Sequence, residues 1–428
     1  MKKLIALLLA IVMVFALVAC AASDETAATD ETVSDATVSE EGTEVIPEGN
    51  TDIKVGVVLV GDENEGYTLA HILGIRNALE NLGLNEEDNV VWKYVVPENE
   101  ECKNAIEDCI DQGCSVVFTN SYGHQDYAKL CAEQYPDIQI VSMTGDTAKA
   151  SGLENFHNAF TKIYEARYVA GVVAGMKIAE LVENGELTDA NYEDGKVLVG
   201  YVGAFPYAEV ISGFSAFFLG IKSVYPEVAM KVLYTSSWFD ITAEKAAAEQ
   251  LVGMGCCIIG QHADSTGAPS ACEAAWNAGT VVYSVGYNID MLNAAPNAAL
   301  VSPTNEWGVY YTYAIGQMMK GEAIETNWAE GFDADAVKVT TLGPNCAEGT
   351  AEKVEETVAA LKDGSLQVFA QENLIVNGAA LESAFATDTD GDWVNDADEA
   401  IFDGYYHESY FQSAPAFNII LDDITALN

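Results

Sequence analysis

Five short runs concentrate the side chains that could do chemistry. They are Asn120-Ser121-Tyr122-Gly123-His124, Gly203-Ala204-Phe205-Pro206, Trp238-Phe239-Asp240, Gln261-His262-Ala263-Asp264-Ser265 and Tyr287-Asn288, with Tyr67 and Trp307 as isolated aromatics. Nearly every one offers an aromatic ring or an uncharged hydrogen bonder, and one carries a carboxylate at Asp264. Flat rings can sandwich a planar molecule while amides, hydroxyls and a carboxylate read its edge. The ligand this suits is planar, neutral and rich in nitrogen, although a sugar site draws on the same residue types. Tyr67 could stack on such a ligand or pack down on a sheet, and His71 is expected to be an oriented structural histidine.

Catalysis finds less support. His71, His124 or His262 could serve as a base beside Asp264, but there is no activated nucleophile, no GxSxG and no metal triad. Neither GxGxxG nor GxxxxGK[ST] occurs, so neither a dinucleotide nor a nucleoside triphosphate is indicated. Binding without catalysis is the expectation. One acidic run could hold a cation: Asp388, Asp390, Asp392, Asp396 and Glu399 fall at positions 1, 3, 5, 9 and 12 of an EF-hand-like calcium loop. Trp393 stands where that loop needs a glycine, which favours a solvated acidic turn over Ca2+. No other cofactor is expected.

The elements that must carry these runs alternate regularly. Ile53–Val60 is a continuous β-branched stretch, as in a parallel strand covered on both faces. The pattern predicts a helix over His71–Leu82, a strand over Val90–Val96 and a helix over Asn99–Gln112. A strand at Cys114–Thr119, a helix at Asp126–Gln134 and a strand at Ile138–Met143 complete the first half. After a small-residue-rich helix, Ile163–Glu183, the alternation restarts. Strands are expected at Lys196–Val202, Met230–Thr235, Cys256–Gly260 and Thr280–Val285. Helices are expected at Glu209–Tyr225, Ala243–Met254 and Ala268–Ala278. Two successive βαβ series imply two Rossmann-like lobes, each with a doubly wound parallel sheet, and a ligand cleft between them beyond the strand ends. The candidate residues fall in the loops that follow strands.

The chain ends point to a compartment. Lys2 and Lys3 precede an apolar run, Leu4–Val18, that leads into Leu17-Val18-Ala19-Cys20. A cysteine directly after a small-residue cleavage site is the mark of a lipoprotein signal, so residues 1–20 are expected to be removed up to a lipidated Cys20. Residues 21–52 hold ten acids and no base, a composition expected to act as an extended, disordered tether on the extracytoplasmic face of the membrane. The whole chain has 66 acidic against 19 basic residues and a net charge of −47. That charge argues against nucleic acid or anionic lipid as partners and leaves the lipid as the only membrane contact. Cys102, Cys109, Cys114, Cys131, Cys256, Cys257, Cys272 and Cys346 show no metal-ligand spacing and are expected to be free thiols. A monomer is expected.

Several motifs in fixed order resemble one family. They are GYxxxH at Gly66–His71, YEARYVAG at Tyr164–Gly171, VGAFPxxEV at Val202–Val210, WFD at Trp238–Asp240 and QHADS at Gln261–Ser265. GYNIDM at Gly286–Met291, APxAxL at Ala295–Leu300 and WGVYY at Trp307–Tyr311 complete the set. The chain is similar, from about Ile53 to Gly321, to the basic membrane protein family of ABC-transporter substrate-binding lipoproteins, which includes purine nucleoside and purine base receptors. That resemblance implies a type I periplasmic-binding-protein fold with three crossovers, ABC permease subunits as partners, and a purine held between aromatics. It implies ligand roles for Tyr67, Phe205 and Asp264, then Trp238 and Asn120; Ser121 and Tyr287 in loops after strands and Trp307 at the opening of an apolar helix join them as candidates from the residue pattern. It places the first lobe at 53–160 and 287–325 and the second at 161–286 and 326–428. Two departures stand out: Tyr67 replaces the usual tryptophan or phenylalanine, and no lysine lies near Tyr287 to meet a ribose. Free base and nucleoside both remain open, and a sugar-binding or signalling receptor is the alternative.

Overall fold

In the computed structural model, which describes residues 49–385 and 398–428, the first β-branched run forms β1, Val55–Val58, with all four residues buried. The chain then alternates through α1 (Gly66–Leu82), β2 (Val90–Lys93), α2 (Glu100–Asp111), β3 (Val116–Thr119), α3 (Gln125–Gln134), β4 (Gln139–Met143) and β5 (Phe156–Thr161). Helix starts follow side-chain chemistry: Asn99 Oδ1 caps α2 by accepting from Glu101 N at 2.8 Å. The strands are parallel in the order β2-β1-β3-β4-β5, so the sheet reverses direction of winding between β1 and β3.

Helix α4, Ile163–Glu183, carries the chain to the second lobe. Its first turns, at Ile163, Ala166 and Val169, pack into the first core, and Tyr168 to Leu181 pack into the second. There β6 (Lys196–Gly203), α5 (Ala208–Val224), β7 (Val228–Tyr234), α6 (Ile241–Gly253), β8 (Ile258–His262), α7 (Gly267–Asn277), β9 (Tyr283–Val285) and β10 (Ala299–Val301) repeat the plan. The order β7-β6-β8-β9-β10 copies the first sheet. The small residues of YEARYVAG are explained by α4 against α5. A side-chain carbon at Gly171 would lie 2.1 Å from the Phe217 carbonyl oxygen, and one at Gly220 2.1 Å from that of Tyr168. Only glycine lets these two backbones approach so closely.

Two further crossings follow. β11 (Pro303–Asn305) leads into α8 (Trp307–Lys320) and β12 (Asn327–Glu330), and β13 (Val337–Val339) pairs antiparallel with β11 on the way back. The fold is the three-crossover type I periplasmic-binding-protein fold. Sheet membership corrects the lobe boundaries read from sequence. β10 belongs to the second sheet, so the chain returns to the first lobe near 302 rather than 287. β12 pairs with β5 in the first sheet, so the final departure comes near 337 rather than 326. The reason is apolar: Trp328 of β12 is buried beside Tyr310 in the first core. The C-terminal segment then wraps the second lobe, with Phe369, Tyr406 and Phe417 in its core and β14 (Ile424–Ala426) added parallel to the β7 edge. Among the described residues, no helix is long and apolar enough to cross a membrane.

Candidate functional site

Both sheets present their winding reversals to the same space. From the first lobe, the loop after β1 supplies Val60 and Glu65, the first turn of α1 Tyr67, the loop after β3 Ser121 and Tyr122, and the end of β4 Thr144. From the second come Glu209 in the first turn of α5, Trp238 after β7, His262 and Asp264 at the end of β8, and Tyr287 after β9. Together they line a cavity of about 480 Å³, counted to its open mouth. Such crevices at the carboxyl ends of parallel strands are where ligands sit on open α/β sheets. The helix α1 starts at Gly66 rather than His71, which puts Tyr67 on a helix and not in a flexible loop.

The ring of Tyr67 is fixed from two sides. Its hydroxyl donates to the Asn120 carbonyl oxygen, and the ring meets His71 edge-on at 4.6 Å between centroids. His71 is fully buried and stacks on Trp307 at 4.5 Å, and its Nδ1 shares a hydrogen bond with the Tyr311 hydroxyl at 2.7 Å. Burial pushes this imidazole down to about 3, so it is neutral at physiological pH. Trp307, 1% exposed, is therefore part of the first core and supports Tyr67 instead of lining the cavity. Asn120 is likewise spent: its Oδ1 accepts from Val60 N at 2.8 Å, holding the β1 and β3 loops together. Ser121 lines the cavity while its Oγ donates to Glu98 at 2.6 Å.

On the second lobe Trp238 supplies the aromatic wall. Phe205 packs edge-on against it at 5.1 Å and stacks on Tyr207 at 5.0 Å, and does not itself line the cavity. Of the two rings expected from sequence to stack on a ligand, Tyr67 lines the cavity, while Phe205 stands against Trp238, which does line it. The reason is local: Phe205 lies in the loop after β6 and buries its face on Tyr207 two residues on.

Asp264 is 7% exposed. Its backbone N–H donates to the Trp238 carbonyl at 2.9 Å, which ties the two loops, and its Oδ1 accepts from Asn288 Nδ2 at 2.7 Å. Burial first, then the nearby Glu65, Glu244 and Glu209 carboxyls, hold its carboxyl well above the usual range, against the pull of Arg167. Glu209, hydrogen-bonded through Oε1 to His262 Nε2 at 3.0 Å, is pushed up to about 7, chiefly by burial. Arg167, from the YEARYVAG run, lies beneath Tyr287 with its guanidinium carbon 3.7 Å from the ring centroid and donates to the Tyr201 hydroxyl at 2.9 Å. Glu65, Glu209 and Arg167 were not singled out by sequence reasoning, and Tyr122 only as part of the run 120–124. A carboxylate at the start of the helix that follows a strand, before its first turn for Glu65 and within it for Glu209, was the available signal.

This arrangement can grip a flat molecule between rings of two lobes and present carboxyl oxygens to its N–H groups. The model of the family described as "ABC transporter substrate-binding protein PnrA-like" matches residues 53–365. This chain belongs to the basic membrane protein family. A purine-binding protein of Brucella abortus is 30% identical over 74% of this chain and 83% of its own length. A Haloferax volcanii protein that bears the name of a glucose-binding ABC transporter protein is 31% identical, over 60% of this chain and 59% of its own. A solute-binding protein of an ABC transporter system from Aeropyrum pernix shares the fold, with a TM-score of 0.60 at 16% identity, covering 74% of this chain and 93% of that one.

Like other basic membrane protein family members, the chain is an ABC-transporter substrate-binding protein. The family match ends near 365, so the C-terminal wrap lies outside it. There the expected calcium ligands Asp388, Asp390, Asp392 and Asp396 fall outside the described residues. Glu399 is described, and its carboxylate is taken up by the backbone N–H groups of Ala384 at 2.8 Å and Ile401 at 3.1 Å. Cys20 also lies outside the described residues. The eight remaining cysteines are free, seven of them buried.

Proposed function

We propose that this protein is an extracytoplasmic lipoprotein, anchored through Cys20, that captures a purine nucleoside or nucleobase in its interlobe cleft and hands it to the permease of an ABC importer, without catalysis. The observation that carries this reading is the cavity wall: Tyr67 from one lobe and Trp238 and Tyr287 from the other, with the Asp264 and Glu209 carboxyls in the same lining. Aromatic faces from both lobes suit a planar ring, and carboxyl groups suit its N–H donors better than they suit an anion. The purine-binding name of the Brucella relative supports the same ligand class. The glucose-binding name of the Haloferax relative favours a sugar as the second reading.

A thermal-shift panel separates the two. A ligand that binds the folded state alone at a hundredfold excess over its Kd adds about 2.7 kcal/mol of stability. Adenine, guanine, adenosine, guanosine or inosine should raise Tm, and glucose, arabinose and ribose should not. A rise with a sugar and none with any purine overturns the proposal. Incubation with the nucleosides should yield no phosphorolysis or hydrolysis products.

A further inference from the structure

The cleft cavity is lined by carboxyl, phenol and imidazole groups beside Trp238 and two hydroxyls, and among the described residues no lysine or arginine lines it. Its carboxyls come from both lobes. Glu65 precedes α1 in the first lobe, and Asp264 follows β8 in the second. The lobes meet at this point: a side-chain carbon at Gly66 would lie 3.3 Å from the Asp264 carbonyl oxygen. Around Glu65 stand the Thr68 hydroxyl, which donates to its Oε2, and the further acids Asp62 and Glu98. Around Asp264 stand Glu65, Glu209 and Glu244, with Asn288 donating to Oδ1. The cation acting on Asp264 is Arg167, whose guanidinium is held under Tyr287 and by Tyr201 and the Gln261 carbonyl.

Closing the empty cleft therefore brings like charges into a water-poor space. Like-charge repulsion grows as the local dielectric falls. It can be relieved by proton uptake or by a ligand that supplies N–H donors to both sides. We propose that Glu65 is a specificity-determining residue: with Asp264 across the cleft it forms a charge gate that holds the empty lobes apart while both are ionised, closes on a nitrogen heterocycle presenting N–H donors to both lobes, and rejects that heterocycle's phosphorylated derivatives. The inference rests on the cleft being the solute site proposed above. Its sign follows from linkage: closure favours the protonated carboxyls, so acid favours closure of the empty protein.

Small-angle scattering of the ligand-free protein between pH 8 and pH 5 tests the gate. The wild type and the exposed control Glu63→Gln should shrink in radius of gyration as pH falls, whereas Glu65→Gln and Asp264→Asn should already be compact at pH 8. A wild-type radius that ignores pH, or variants as extended as the wild type at pH 8, overturns the gate. Calorimetry with guanosine and its 5′-monophosphate tests the specificity: the monophosphate should bind at least tenfold more weakly, and Glu65→Gln should narrow that gap. Equal binding of the two by the wild type overturns the specificity role. Because the scattering needs no ligand, failure of every purine to bind would count against the ligand assignment alone and leave the gate to be judged by its own result.

Discussion

At the scale of single residues, the site is a set of rings and carboxyls whose roles differ by what else they touch. Asp264 combines burial with an Oδ1 already held by Asn288, so it is a preoriented acceptor. A charge-assisted bond from a ligand N–H contributes roughly 1.5–3 kcal/mol, so Asp264→Asn should weaken purine binding about ten- to a hundredfold by calorimetry. Unchanged affinity would remove Asp264 from the site while leaving the ligand class standing. Trp238→Ala should cost a comparable amount, and Phe205→Ala less, because Phe205 only supports the ring that faces the cavity. Sequence showed that Asp264 and an aromatic belonged at the second-lobe mouths. It could not rank Phe205 against Trp238, since both follow strands and only the backbone path decides which ring faces the cleft. Trp307 and Asn120 stand behind the cavity wall, and sequence could not tell them from lining residues for a similar reason: residues that brace a site share its composition.

At the scale of elements, strand and helix order was legible because β-branched runs and amphipathic helices alternate at short intervals. β5, Phe156–Thr161, was missed. Its His157 and Asn158 look like loop residues, yet Asn158 is buried and accepts from Ala148 N while donating to the Ser142 carbonyl. Its polarity serves a network inside the lobe. The α4–α5 contact makes its own prediction: Gly171→Ala forces a methyl against the Phe217 carbonyl. It should destabilise the protein by ~1–3 kcal/mol or more in urea unfolding. A second concerns the C-terminal wrap. Glu408, 3% exposed, accepts from Ser212 Oγ and from Phe417 N at 2.7 Å, and burial raises its carboxyl from 4.5 to about 8. A carboxyl raised on folding contributes stability fully below its unfolded value and loses it as pH climbs through its folded value. Glu408→Gln keeps the neutral shape, with its amide oxygen accepting from Phe417 N and its NH2 donating to the Ser212 hydroxyl in a reversed bond. Its advantage over the wild type should therefore grow by about 3 kcal/mol between pH 5 and pH 8 in denaturant melts; a pH-independent difference would contradict the burial argument.

At the scale of the whole molecule, two similar sheets meet at their winding reversals, and three crossings join them near residues 162, 302 and 337. Composition and alternation announced two lobes, but the exact crossing points depend on which sheet captures β10 and β12, a competition between cores that no local pattern records. The acidic balance of the chain, −47 overall, agrees with a cavity that carries carboxyls and, among the described residues, no lining lysine or arginine. The lipobox reading makes a cellular prediction: Cys20→Ala should move the protein from the membrane fraction to the soluble one, and retention in the membrane would refute the anchor. One purine is proposed to sit between the lobes, against Tyr67 and Trp238. The most direct test is calorimetric titration of the purified chain with guanine, adenine, guanosine, adenosine and glucose. One site per chain is expected for at least one purine, abolished or weakened at least tenfold in Trp238→Ala, with no heat from glucose. Saturable binding of glucose with none of any purine would contradict it.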